Sequence, residues 1–168
     1  KTTTDAQWWA ADAVKNPRYF SARRILQLRP EEIFERPRDV RFSAKDILAT
    51  ADELLSHLSK THDTTNGVHS GVLFDQTNKK ILVFREDVGR HNVFDKLYGW
   101  ALRNHVEISD KIIIFSGRCS SEMMLKLGRM GISTVAAKSV PTTLSLNIAQ
   151  RLGITLCARM APGSFCIY

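Results

Sequence analysis

The chain is poor in cysteine and has no long apolar run. Its 168 residues include three cysteines, Cys119, Cys157 and Cys166. They make no even-numbered framework and no Cys-x-x-Cys pair, which excludes a disulfide scaffold and a tetrahedral zinc site. A reducing, cytoplasmic setting is the simplest home for them. No stretch approaches the roughly 18 to 20 consecutive apolar residues of a spanning helix, and the opening residues alternate charge with aromatics instead of building a signal-peptide core. A soluble protein with no membrane partner is expected. A phosphate loop (Gly-x-x-x-x-Gly-Lys-Ser/Thr), a Gly-x-Ser-x-Gly elbow, a Gly-x-Gly-x-x-Gly turn and the deaminase combination of His-x-Glu with Pro-Cys-x-x-Cys are all missing. ATP hydrolysis, α/β-hydrolase chemistry, dinucleotide dehydrogenation and zinc-activated water lose their support. The chain opens at Lys1 without an initiator methionine, so further residues upstream are expected and the lack of an N-terminal motif carries no weight.

What is present fits one ordinary domain with a real core, with 43% hydrophobic and 24% charged residues. The net charge is +7 and the pI is near 9.6. Residues 1–60 hold 11 Lys+Arg against 9 Asp+Glu, and residues 61–168 hold 13 against 8, so the excess is spread thinly. The densest group, Arg36, Arg38 and Arg41, is broken by Pro37 and Asp39. A basic nucleic-acid-binding domain would draw only its non-specific, salt-dependent part from such a charge.

Residues 1–60 read as a helical lead-in, the remnant of a larger N-terminal region, and 61–168 as an αβα domain. DAQWWAADAVK closes at Asn16-Pro17, and YFSARRILQL runs toward Pro30 and a turn at PEEIFE. Adjacent Trp8 and Trp9 cannot both face one core. Ser43 reads as the N-cap of a helix to about Ser59, with Ile47, Leu48, Ala51, Leu54, Leu55 and Leu58 on one face. VHSGVLFD and KILVFRE, joined by QTNK, give a hairpin signal. A helix from about Asn92 to Arg103, the strand KIIIFS, a helix from about Ser120 to Arg129, the strand STVAAK, the helix TTLSLNIAQRL capped by Gly153 and the strand ITLCA follow. A hairpin and then alternating helices and strands predict a mainly parallel sheet between helical layers.

In such sheets ligands bind beyond the carboxyl ends of the strands, where helix N-termini favour anions. Each of those junctions carries polar residues. REDVGRHN offers Glu86, Asp87, Arg90 and His91 around Gly89, which would allow a tight turn, with Lys96 one helical turn on. SGRCSSE offers Arg118, Cys119, Ser120 and Glu122. KSVPTT offers Lys138, Ser139, Thr142 and Thr143, and RMAPGS offers Arg159 and Ser164. Together they predict a pocket for a phosphate-bearing ligand. Each residue also has a plainer role: Ser120 and Thr142 or Thr143 as N-caps, Asp87 and Arg90 as a loop ion pair, His91 as a surface residue and His69 as a core histidine. Cys119 has two readings. A thiol at a helix N-terminus beside Arg118 has a lowered pKa and is a candidate nucleophile, whereas a buried cysteine is inert.

REDVGRHNVFDKLYGWAL, SGRCSSEMMLKLGRMGI and KSVPTTLSLNIAQRLGITL, in this order and followed by a stretch ending at Tyr168, closely resemble the formate dehydrogenase accessory sulfurtransferase family, FdhD. TNGVHSGVLF resembles that family's Thr-Gly-Gly-x-His-x-Ala stretch, with Asn66 and Ser70 as departures. The resemblance implies a three-layer αβα sandwich with a cytidine-deaminase-like mixed sheet and no zinc, in a homodimer. It implies transfer of sulfur from a cysteine desulfurase to the molybdenum bis(molybdopterin guanine dinucleotide) cofactor of a formate dehydrogenase apo-enzyme, with a GDP-like nucleotide as a surrogate ligand. The family's cofactor-binding stretch falls on Arg159, Met160, Ala161, Pro162, Gly163 and Ser164. His69 and the strand-end residues Asp87, Arg90, His91, Lys96, Arg118, Ser120, Glu122, Ser139, Thr142 and Thr143 would complete the pocket. The family's Cys-Gly-x-Cys-Gly persulfide loop should lie near NPRYFSARRILQL, where there is no cysteine. A non-catalytic module that binds the cofactor or a guanine nucleotide is therefore the alternative expectation.

Overall fold

The computed structural model describes residues 42–56, 60–65 and 67–168. The helices and turn read into residues 1–41, with Trp8 and Trp9, lie outside the described residues. Helix α1 (Ala44–Ser56) and the short α2 (Lys60–Thr65) lead into a hairpin of β1 (His69–Asp75) and β2 (Lys80–Asp87). Then follow α3 (Arg90–Arg103), β3 (Lys111–Phe115), α4 (Ser121–Met130), β4 (Thr134–Ala137), α5 (Thr143–Leu152), β5 (Thr155–Ala161) and β6 (Ser164–Ile167).

The strands form one sheet in the order β2-β1-β3-β4-β5-β6. β3/β4 and β4/β5 are parallel, while β1/β2, β1/β3 and β5/β6 are antiparallel. The sheet is mixed, as the resemblance implies: β1 runs antiparallel to both its neighbours, and the closing residues add a second hairpin, not read from the sequence, at a turn through Gly163, whose φ of 72° suits a residue without Cβ. α3 begins at Arg90, two residues before the expected start, because Gly89 already serves as its N-cap. Gly89 has an ordinary extended φ of −87°, so left-handed freedom is not its role. A Cβ there would lie 3.0 Å from the Asn92 amide nitrogen.

Every residue of β3 is buried, as a strand covered on both faces requires. Its alternate side chains feed two cores. Ile113 and Phe115 join Leu73, Val135, Leu156 and the apolar faces of α3, α4 and α5. Ile112 and Ile114 join Val72, Phe74, Ala136 and Cys157 under Ile47 and Leu54 of α1. The result is three layers: α1, the sheet, and α3–α5. Each such fully buried side chain contributes roughly 1.5–3 kcal/mol relative to exposure. α1 is thus packed on the sheet, and its side chain Asp46 is tied to the far end of the hairpin by Gln76 (2.9 Å) and an ion pair with Lys79.

Helix ends follow local chemistry. Thr142 Oγ1 accepts from Ser145 N–H at 3.1 Å in a capping box, and Gly153 ends α5 in the left-handed conformation, as its sequence predicts. α4 ends at Gly131 with φ 78°, Ile132 N–H reaching back to Leu127 O at 3.0 Å. α4 and α5 meet where Gly128 leaves no room for a Cβ, which would lie 2.9 Å from Leu152 Cδ1.

Candidate functional site at the strand ends

β2, β3, β4 and β5 all point the same way, so the four polar segments that follow them emerge at one edge of the sheet, beside the first residue of β1. Backbone hydrogen bonds join three of them. Lys138 N–H donates to Phe115 O at 3.0 Å, Met160 N–H to Lys138 O at 3.1 Å, Ser139 N–H to Gly117 O at 3.5 Å and Arg159 N–H to Ser139 O at 3.5 Å. β1 is stitched to the same edge: Ser116 N–H donates to Ser70 O, and Ser70 N–H donates to Ser116 Oγ, both at 2.8 Å.

The edge has two sides. On the α3 side, the His69 ring lies 5.9 Å from Phe115, whose ring meets Phe94 edge-on at 5.2 Å. Gly117 closes this cradle, since a Cβ there would stand 2.7 Å from the Phe115 ring and 3.0 Å from His69 Nδ1. Burial, and then the charges of Arg90 and His62, hold His69 below its ordinary pKa. Next to it, Asp87 accepts from Gly89 N–H (2.8 Å) and the Asn92 amide (3.0 Å) and pairs with Lys96 at 2.5 Å. Those bonds, Lys96's first, hold Asp87 down to about 2. Its partner is Lys96, not the Arg90 read from the loop sequence. His91 Nε2 lies 3.5 Å from Glu122 Oε2, which joins the start of α3 to the start of α4.

On the α1 side, Ser70 Oγ donates to Glu86 Oε1 at 2.6 Å. A cavity of about 270 Å³ opens here, lined by Leu48, Ala51 and Asp52 of α1, Ile114 and Ser116, Lys138, and Met160, Ala161 and Pro162. Arg159, at the bulge in β5, is exposed and has φ 57°. For a residue with a Cβ that conformation costs on the order of 1–3 kcal/mol, the kind of strain that collects at ligand sites.

The structure therefore gathers His69, Asp87, Arg90, His91, Lys96, Arg118, Ser120, Glu122, Ser139 and Arg159–Pro162 along one edge. Thr142 is taken up by its capping box, Thr143 is an exposed first residue of α5, Gly163 forms the turn into β6 and Ser164 is the first residue of that strand. Ser120 occupies the N-cap backbone position but makes no capping bond. Its Oγ is buried without a partner, as is Arg90 Nε. Cys119 reverses the reactive reading. It is 1% exposed in the α3–α5 core, and burial pushes its thiol up to about 12, overriding any field from the helix end. Cys157 is also buried and raised to about 11, and Cys166 is exposed on β6. Sequence reading missed Lys126, a buried lysine inside MMLKLG. Its signal was a charge in a helix with no polar face at that level. Among the described residues, no group of three or more His, Cys, Asp or Glu is placed to hold a metal ion, and no helix is long and apolar enough to cross a membrane.

These features define a class, a three-layer αβα domain with a mixed six-stranded sheet whose loops and α1 cleft meet at the strand ends. Within it, the chain belongs to the FdhD/NarQ family, whose model matches residues 20–168. It is 41% identical over 128 residues to the sulfur carrier protein FdhD of Geobacillus kaustophilus, covering 73% of this chain and 48% of that protein. It is 46% identical over 110 residues to the sulfur carrier protein FdhD of Bacillus subtilis, covering 66% of this chain and 41% of that one. A crystal structure of a Desulfotalea psychrophila protein, described as a formate dehydrogenase accessory protein, superposes with a TM-score of 0.66 at 33% identity over 73% of this chain and 54% of that one. The chain spans about half the length or less of the curated relatives it matches.

Proposed function

We propose that the chain serves the maturation of a formate dehydrogenase by binding a molybdopterin guanine dinucleotide at the strand-end edge, where sulfur from a cysteine desulfurase is passed to the molybdenum cofactor. Family membership supports the process. The observation that carries the ligand class is the edge itself. Arg90 Nε at the start of α3 and Ser120 Oγ at the start of α4 are buried donors without protein partners, the latter next to the first N–H groups of α4 and two residues from the exposed Arg118. That donor set fits a pyrophosphate. The 270 Å³ cleft between α1 and Met160–Pro162, mostly apolar with Asp52, Ser116 and Lys138 among its lining residues, fits a flat heterocycle. In this reading the cofactor is cargo and the acceptor of sulfur. Arg118, Ser120 and the α4 start bind phosphate oxygens, Arg159–Pro162 hold the nucleotide end, and His69, His91 and Glu122 line the α3 side. The homodimer follows from the family resemblance, and the cytoplasmic setting from that resemblance and the free cysteines.

A second reading, a module that carries the cofactor without forming the persulfide, is favoured by the cysteines. Cys119 and Cys157 are buried with raised thiols, and Cys166 lies on β6, outside the strand-end edge. Calorimetry with GDP tests the site common to both readings. The unaltered chain should bind GDP. Arg118→Ala with Arg159→Ala should weaken binding at least about tenfold, since hydrogen bonds to charged groups contribute roughly 1.5–3 kcal/mol each, with the thermal midpoint nearly unchanged. Unchanged affinity in the double variant would overturn the assignment.

A further inference from the structure

Between the first turns of α3 and α4 sits a lysine that belongs to none of the strand-end segments. Lys126 is 2% exposed. Its Nζ donates to both carboxylate oxygens of Asp95, at 2.8 and 2.7 Å, and to the carbonyl oxygen of His91 at 3.2 Å. An ammonium removed from water is costly unless paired and hydrogen-bonded, and an apolar side chain of similar volume would avoid that cost. Packing among Met123, Met124, Leu125 and Leu127 therefore does not call for a charge at this position. What the charge does is join α4 to the first turn of α3, and that turn carries Arg90 and His91 to the edge. Glu122 of α4, one turn before Lys126, meets the His91 ring from the same side.

We infer that Lys126 is a positioning residue of the strand-end site: by clasping Asp95 and the His91 carbonyl it fixes the start of α3 against α4, and with it the Arg90 and His91 side chains. The inference rests on the nucleotide-binding reading only for its effect on affinity. The two members of the clasp also act on the His91 ring, in opposite directions. The groups acting on that ring are Lys126 and Glu122 from α4 and Arg90 and Asp95 from its own helix. Burial is the largest influence and lowers its pKa. Lys126 and Arg90 act in the same direction, while Glu122 and Asp95 act against it.

The test is Lys126→Met, which keeps the length of the side chain and removes the charge. Histidine ring signals followed by NMR against pH should show His91 titrating at higher pH than in the unaltered chain. GDP affinity should fall roughly two- to thirtyfold, the range for residues that act through another. A folded K126M chain with an unchanged His91 titration overturns the inference. If K126M does not fold, Asp95→Asn opens the clasp at a carboxylate whose side chain is 42% exposed. His91 then titrates lower, because a bare ammonium repels the imidazolium, and an unchanged titration overturns the inference there too. If the unaltered chain does not bind GDP, the nucleotide reading fails, and the titration, which needs no ligand, still decides the positioning role.

Discussion

Gly117→Ala places one methyl group into the tightest part of the candidate site. The new Cβ would stand 2.7 and 2.8 Å from Phe115 Cε1 and Cζ and 3.0 Å from His69 Nδ1, all inside van der Waals contact. Gly117 is not among the positive-φ glycines, so alanine meets no backbone strain and the whole cost is steric. The ring cannot easily yield, because Phe115 is 1% exposed and held edge-on against Phe94. Forcing a methyl into a packed core costs typically about 1–3 kcal/mol. For a chain of this size that lowers the thermal midpoint by roughly 2–4 °C per kcal/mol. Urea denaturation with an unchanged slope should report the loss. Phe115→Leu removes the ring atoms that the methyl strikes, so G117A should cost less in an F115L background, a non-additive pair. The His69 ring signals should move in G117A. Stability within about 0.5 kcal/mol of the unaltered chain, the usual range for a neutral surface change, would refute the cradle.

Three further outcomes are expected. Thiol alkylation of the folded chain near pH 8 should modify Cys166 and spare Cys119, whose thiol sits at about 12; incubation with an active cysteine desulfurase and cysteine should leave Cys119 without a sulfur adduct, and mass spectrometry reads both. Asp87, depressed to about 2, contributes stability that is complete above its unfolded pKa near 4 and is lost as pH falls from about 4 to about 2. Lys96→Met should therefore destabilise the chain more at pH 7 than near pH 2, where only the bond from Lys96 Nζ to Glu86 O and part of the ion pair remain to be lost, as denaturation at the two pH values would show. Thr142→Ala should cost about 1 kcal/mol as a lost cap, whereas Ser120→Ala, whose hydroxyl caps nothing, should leave stability nearly unchanged and weaken GDP binding.

Much of the fold was legible because a few segments carry unambiguous periodicity. KIIIF is a continuous apolar run of strand length, and Ile47, Leu48, Ala51 and Leu54 mark one face of α1. Thr142 and Gly153 punctuate α5 at both ends, and the structure agrees in each case. SFCI escaped as a strand because it is four residues long with three of them exposed, so no buried alternation marks it. Its existence follows from the Gly163 turn and the ladder offered by β5.

The strand-end residues were legible as a group, since a parallel arrangement of β2 to β5 obliges their following segments to share an edge. Their individual roles were not. Whether Cys119 faces solvent or core depends on a turn angle that the letters SGRCSSE do not encode. The partner of Asp87 depends on which face of α3 Lys96 occupies. Lys126 was hidden because its partners, Asp95 and the His91 carbonyl, meet it only through packing of α3 against α4.

The most direct test of the central claim is to map backbone amide shifts as GDP is added to the labelled chain. The account predicts movement at Arg90–His91, Gly117–Ser121, Lys138–Ser139 and Arg159–Met160, with the Gln76–Lys80 turn at the opposite edge unaffected. No movement along the strand-end edge, or movement confined to that opposite turn, would contradict it.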